Sequence, residues 1–174
     1  MRLTIVAALA AVLSLLGCDA LERRHAMKAL PSTLQAEAIE FGRNEVFGFG
    51  PGGNETGFYV IRLGAEGVDL AARGGVAWLN AQTGGRLDPD WFVTPVPRDD
   101  YWMGRADSAL GAFPDPTVTA ILDRYGFGFD LPPEHQSALD SALNSPGSYY
   151  AFGRGGLVAV VVPAAGRAYV FYAG

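Results

Sequence analysis

Side chains able to do chemistry are few in this chain and unevenly placed. There are two histidines, His25 and His135, and one cysteine, Cys18. A hydrolase triad needs a nucleophile, a base and an orienting carboxylate. Ser137, Asp140 and Ser141 lie near His135 in sequence, but helical spacing spreads them around the axis, and no GxSxG motif occurs. His135 shares a helix face with Leu139, which is the pattern of an imidazole at the edge of a core. A single cysteine excludes a disulfide framework and any multi-cysteine zinc or iron–sulfur site. No cofactor is expected.

Gly48-Phe49-Gly50-Pro51-Gly52-Gly53 contains a GxGxxG pattern. A dinucleotide site requires those glycines to open a helix whose N-terminus faces the pyrophosphate. Here the following run, Thr56–Leu63, reads as a strand. A kinase-type glycine loop needs a lysine downstream, and no lysine follows Lys28. A tight hairpin accounts for these glycines.

Between Asp88 and Asp140 ten acidic residues face only Arg98, Arg105 and Arg124, a net −7. Asp88, Asp90, Asp99 and Asp100 are candidates for hard-cation ligands, and two of these or Asp107 for a glycosidase-type carboxylate pair. No EF-hand spacing is present, so no metal is assigned, and turn-forming Asp-Pro pairs on a solvated face are the simpler reading. Trp91, Phe92, Tyr101 and Trp102 fall in the same stretch. Exposed, they would form a platform for a sugar ring or a partner's apolar anchor; buried, they would pin the segment to the sheet. Trp91, Tyr101, Trp102, Asp99 and Asp100 are therefore the ligand-binding candidates, and no catalytic residue is assigned.

Cys18 follows Arg2, an apolar run from Leu3 to Leu16, and Leu15-Leu16-Gly17. The apolar run is too short for a permanent membrane span, which takes about 20 residues, and has the layout of a secretory signal. Leu15-Leu16-Gly17-Cys18 resembles the lipobox of bacterial lipoproteins, with a branched apolar residue at −3, a small residue at −1 and then the cysteine. The resemblance covers residues 1–18 only. It implies a diacylglyceryl thioether on Cys18, cleavage before it, and acylation of the new amino group; two or three acyl chains anchor a protein durably where one does not. It places the protein in the bacterial cell envelope, with its domain in the periplasm. Asp19 resembles the inner-membrane retention signal of enteric bacteria, but other lineages sort differently, so the target membrane stays open.

The elements that must position these residues read as follows. Residues 1–17 are the signal peptide, 18–31 the lipidated cysteine and a tether, and 32–174 one globular domain. Arg23, Arg24, His25 and Lys28 on the tether would attract anionic head groups, or serve only as solvated spacer. Ser32-Thr33-Leu34-Gln35 reads as a capping box opening a short helix with Leu34, Ala38 and Phe41 on one face and Gly42 as its stop. Glu45–Gly50 and Thr56–Leu63 form a hairpin, and Ala65–Asn80 a helix weakened by Gly74-Gly75. Residues 81–114 are rich in Gly, Pro and Asp without a clear period: a long loop, or one hiding a strand. Asp115-Pro116 starts a helix that Gly126 stops, and a second runs from Pro133 to Leu143 with Ala138, Leu139, Ala142 and Leu143 inward. Ser148–Gly153, Leu157–Val162 and Arg167–Tyr172 form a three-stranded meander. Because Leu157–Val162 is apolar at every position, both of its faces should be covered. Helices and strands are segregated, so the class is α+β, an antiparallel sheet with helices packed on one face.

The whole chain has 174 residues and a net charge of −5, with a pI near 4.9 and a mean hydropathy of +0.16. The acidity argues against nucleic acid as a partner, and the positive hydropathy owes much to the signal segment. The expected function is a membrane-anchored envelope lipoprotein whose domain binds an envelope protein or a glycan without catalysis. The alternatives are a carboxylate-dependent hydrolase of cell-wall glycan and a purely structural envelope component.

Overall fold

The computed structural model describes residues 23–47, 54–82, 84–98 and 115–174. Their strands are β1 (Ala36–Phe47), β2 (Asn54–Leu63), β3 (Leu87–Val93), β4 (Tyr149–Gly153), β5 (Val158–Val162) and β6 (Arg167–Ala173). The helices are α1 (Ala65–Asn80), α2 (Val118–Leu122) and α3 (Pro133–Asn144), preceded by a helical segment over residues 23–27. The strands join in one sheet in the order β1-β2-β6-β5-β4-β3, with every neighbouring pair antiparallel. The class is α+β, and β4-β5-β6 is the C-terminal meander.

Alternation along the strands divides the core in two. Phe58, Val60, Tyr150, Val158, Val160, Tyr169 and Phe171 face one side, where they pack with Val118, Ile121 and Leu122 of α2 and Leu139 and Leu143 of α3. Tyr59, Ile61, Ala151, Ala159, Val161, Ala168 and Val170 face the other, with Ala71 and Leu79 of α1 and Ala26, Ala29 and Leu30 of the leading segment. The helices thus cover both faces, not one. The connectivity requires this: α1 carries the chain from β2 across one face to the far edge at β3, and α2 and α3 return it over the other face to β4. The uninterrupted apolar run of β5 already demanded two covers, because a strand buried on both faces loses its alternation.

Three further expectations are corrected. Ser32–Leu34 is a single 3₁₀ turn without a side-chain cap; Gln35 then turns left-handed and β1 begins at Ala36. Ala38 and Phe41 therefore lie on a strand, where the β-branched and aromatic residues after Gln35 pair with β2. Secondly, α2 is capped not by Asp115 but by Thr117, whose Oγ1 accepts the Ala120 N–H at 3.3 Å. Thirdly, the tether is not solvated throughout: Ala26, Ala29, Leu30 and Pro31 are buried. The hidden strand in residues 81–114 exists, as β3. On α3, Leu139, Ala142 and Leu143 are buried and Ala138 is exposed.

Candidate functional site: an arginine-flanked cleft

β1, β4 and β6 end, and β2, β3 and β5 begin, at the same end of the sheet. On the α1 side of that end lies a cleft of about 500 Å3, a size typical of small-molecule sites, which span about 300–1,000 Å3. Tyr59, Leu157 and Val170 supply its apolar floor, Tyr172 and Asn44 one wall, and His25, Ala26 and Ala29 of the leading segment the other. Charge enters from Arg86, Arg154 and Glu55.

Hydrogen bonds, most of them between segments distant in sequence, hold the walls. Residues 84–86 run against the leading segment, where the Arg86 N–H donates to the Ala29 carbonyl at 3.0 Å. Gly85 is required there: its φ is +85°, and a Cβ would lie 2.5 Å from the Ala29 oxygen. Arg154 opens the three-residue β4–β5 turn, closed by the Gly153 N–H donating to the Leu157 carbonyl at 2.8 Å. Glu55 and Gly174 exchange backbone hydrogen bonds of 2.6 and 3.0 Å across β2 and the end of β6. The Tyr172 hydroxyl donates to Asn44 Oδ1 at 3.2 Å, tying the β6 wall to β1.

Leu87 pairs with Gly153, so Arg86 and Arg154 adjoin the last β3–β4 pair, one on each chain segment, and both line the cleft. Among the described residues no carboxylate forms an ion pair with either guanidinium, whereas Arg43, Arg62, Arg73, Arg98 and Arg167 each have one. Two exposed guanidiniums, with no ion-pair partner among the described residues, at the edge of a partly apolar cleft have the chemistry to take an oxyanion.

The residues expected from sequence fare differently. Trp91 is 3% exposed and packs in the α1-side core, with its backbone N–H donating to Asn80 Oδ1 at 2.7 Å. It pins β3 to α1 and offers no platform. Phe92, on the opposite face, stacks on Tyr150 with ring centroids 5.3 Å apart. Asp99, Asp100, Tyr101, Trp102 and Asp107, like Cys18, lie outside the described residues. Three other acids of the Asp88–Asp140 stretch have structural partners: Asp115 pairs with Arg98, Asp123 accepts the Gly128 N–H, and Asp140 the Val118 N–H. Among the described residues no three metal-ligating side chains cluster. His135 is half-buried, its ring 4.8 Å from that of Phe41, at the core edge as expected.

Arg86 and Arg154 were not among the expected site residues; the signal beside each is a turn-forming glycine pair, Gly84-Gly85 and Gly155-Gly156, all of positive φ. Among the described residues no helix is long and apolar enough to cross a membrane. Comparison with family models, curated proteins and solved structures finds no match to this chain.

Proposed function

We propose that this protein is a lipid-anchored binding protein of the bacterial envelope, held through Cys18, whose cleft takes a small anionic ligand. The observation that carries the binding reading is Arg86 and Arg154 together: two exposed cations, without an ion pair among the described residues, lining a cleft of ligand size. The lipobox-like Leu15-Leu16-Gly17-Cys18 supports the anchor. Binding is the reading preferred to glycan hydrolysis, since among the described residues the cleft has one carboxylate side chain, Glu55, where a glycosidase mechanism uses two. Neither Asp88 nor Asp90 lines it.

Two measurements test the two halves. Metabolic labelling with a fatty-acid analogue marks the wild type and not Cys18→Ala; equal labelling overturns the anchor. Inorganic phosphate, added at matched ionic strength, raises the melting midpoint of the wild type, as any ligand of the folded state does. The Arg86→Gln/Arg154→Gln variant loses that response. No response in the wild type, or the same response in both, overturns the anion site.

A further inference from the structure

We propose that the anion taken by Arg86 and Arg154 is the phosphate of a phospholipid from the bilayer that holds the Cys18 anchor. This rests on the reading of the chain as a lipid-anchored, anion-binding protein, and names the source of the ligand.

Three observations converge on a lipid. First, the cleft wall is built from the leading segment itself, His25, Ala26 and Ala29. Five residue steps separate Cys18 from Arg23, and an extended chain of that length reaches at most about 18 Å. The mouth of the cleft is thereby confined to the head-group layer and its immediate surroundings. Second, charge is distributed against the average of the chain. His25, Arg86 and Arg154 line the cleft, and the exposed Arg23 and Arg24 immediately precede His25 on the leading segment of an acidic protein. Basic groups next to a membrane are each attracted to anionic head groups. Third, the cleft is amphiphilic. Guanidiniums at the rim match phosphate oxygens with paired N–H donors, and Tyr59, Leu157, Val170 and Ala29 behind them match hydrocarbon.

Native mass spectrometry of the mature, lipidated chain in nonionic detergent, titrated with a palmitoyl-oleoyl phosphatidylglycerol, reads retained lipid directly. The wild type retains the phospholipid, and Arg86→Gln/Arg154→Gln weakens retention about tenfold or more. Arg154→Glu provides the second variant: it reverses the charge of an exposed turn residue, leaves the melting midpoint near that of the wild type, and abolishes retention. Competition with glycerol 3-phosphate separates the sources. Lipid retained against a large excess of the soluble phosphate supports the inference. Displacement by equimolar glycerol 3-phosphate, or equal lipid retention in wild type and both variants, overturns it. If phosphate raises the melting midpoint but no lipid is retained, the lipid source falls and the anion site stands; if neither occurs, both fall.

Discussion

Asp140 on α3 reaches back to the start of α2, where its Oδ1 accepts the Val118 N–H at 2.7 Å. A helix leaves its first N–H groups without partners, and here two side chains supply them: Asp140 for Val118 and Thr117 for Ala120. Asn144 adds a bond from its Nδ2 to the Pro116 carbonyl at 2.8 Å. The contact between α2 and α3 is therefore polar at one end and apolar beneath, where Val118, Ile121, Leu122, Leu139 and Leu143 meet the sheet.

Burial pushes the Asp140 carboxyl up from its ordinary value, against the opposing pull of the Val118 N–H and a hydrogen bond with Gln136. The folded state thus holds this proton to higher pH than the unfolded chain does. By linkage, the group's stabilising contribution is fully present in acid and declines as pH rises through the carboxyl range. Asp140→Asn keeps an oxygen acceptor for Val118 and cannot ionise. Its stability relative to wild type should therefore rise from acid toward pH 7, as urea melts at several pH values will show. Parallel curves for the two proteins would refute the assignment. Asp140→Ala removes the acceptor and should cost about 1–2 kcal/mol.

Thr94 and Ser148 form a second polar joint, buried where β3 ends and β4 begins. The Thr94 N–H donates to the Ser148 carbonyl at 3.0 Å, and the Ser148 N–H donates to Thr94 Oγ1 at 3.1 Å. The Thr94 hydroxyl donates onward to the Ser145 carbonyl at 2.6 Å. Thr94→Val preserves shape and leaves the Ser148 N–H buried without its acceptor, which should cost about 1–3 kcal/mol. The check is a lower urea midpoint at an unchanged slope; an unchanged midpoint would mean that the joint contributes nothing.

What was legible in the sequence, and what was not, follows from the range of each signal. Alternation and turn residues act over a few positions, so the meander, α1 and α3 could be read within a residue or two. The helix expected at Ser32 failed because a capping box is a local pattern, and pairing of Ala36–Phe47 with β2 along its length outweighed it. Similarly, the basic residues after Cys18 suggested a solvated tether, while Ala26, Ala29 and Leu30 between them are too few to show a period and are buried only because β3 and the sheet end supply a surface. The cleft was illegible for the same reason. His25, Glu55, Arg86, Arg154 and Tyr172 come from five separate segments, and only the strand order brings them together.

Gly155 and Gly156 offer a matched comparison in the turn that presents Arg154. Both have φ near +70°. A Cβ on Gly155 meets nothing within 4 Å, whereas one on Gly156 would lie 2.4 Å from the Ala173 carbonyl oxygen. Asparagine tolerates the left-handed region, so Gly155→Asn should fold with a melting midpoint close to wild type. Gly156→Asn must push β6 away, and with it the Tyr172 and Gly174 wall of the cleft. It should lower the midpoint by several degrees and weaken the phosphate response. Equal midpoints for the two variants would show that the close approach to Ala173 imposes no constraint.

Leu30 decides where the domain begins. A leucine in a solvated tether can be truncated at no cost, but Leu30 is 3% exposed within the α1-side core, beside Leu34, Ile61 and Leu63 in the same cluster. Leu30→Ala should therefore cost about 2–4 kcal/mol, the usual range for a buried leucine. The effect should reach the cleft, because Ala29, the neighbouring residue, accepts the Arg86 N–H and holds one wall in place. Hydrogen exchange in the wild type should protect the Arg86 amide, and the variant should lose that protection before the amides of β5. If Leu30→Ala is as stable as wild type, residues 23–31 are a tether after all. The cleft would then lose the wall that ties it to the anchor, and with it the argument that its ligand comes from the membrane.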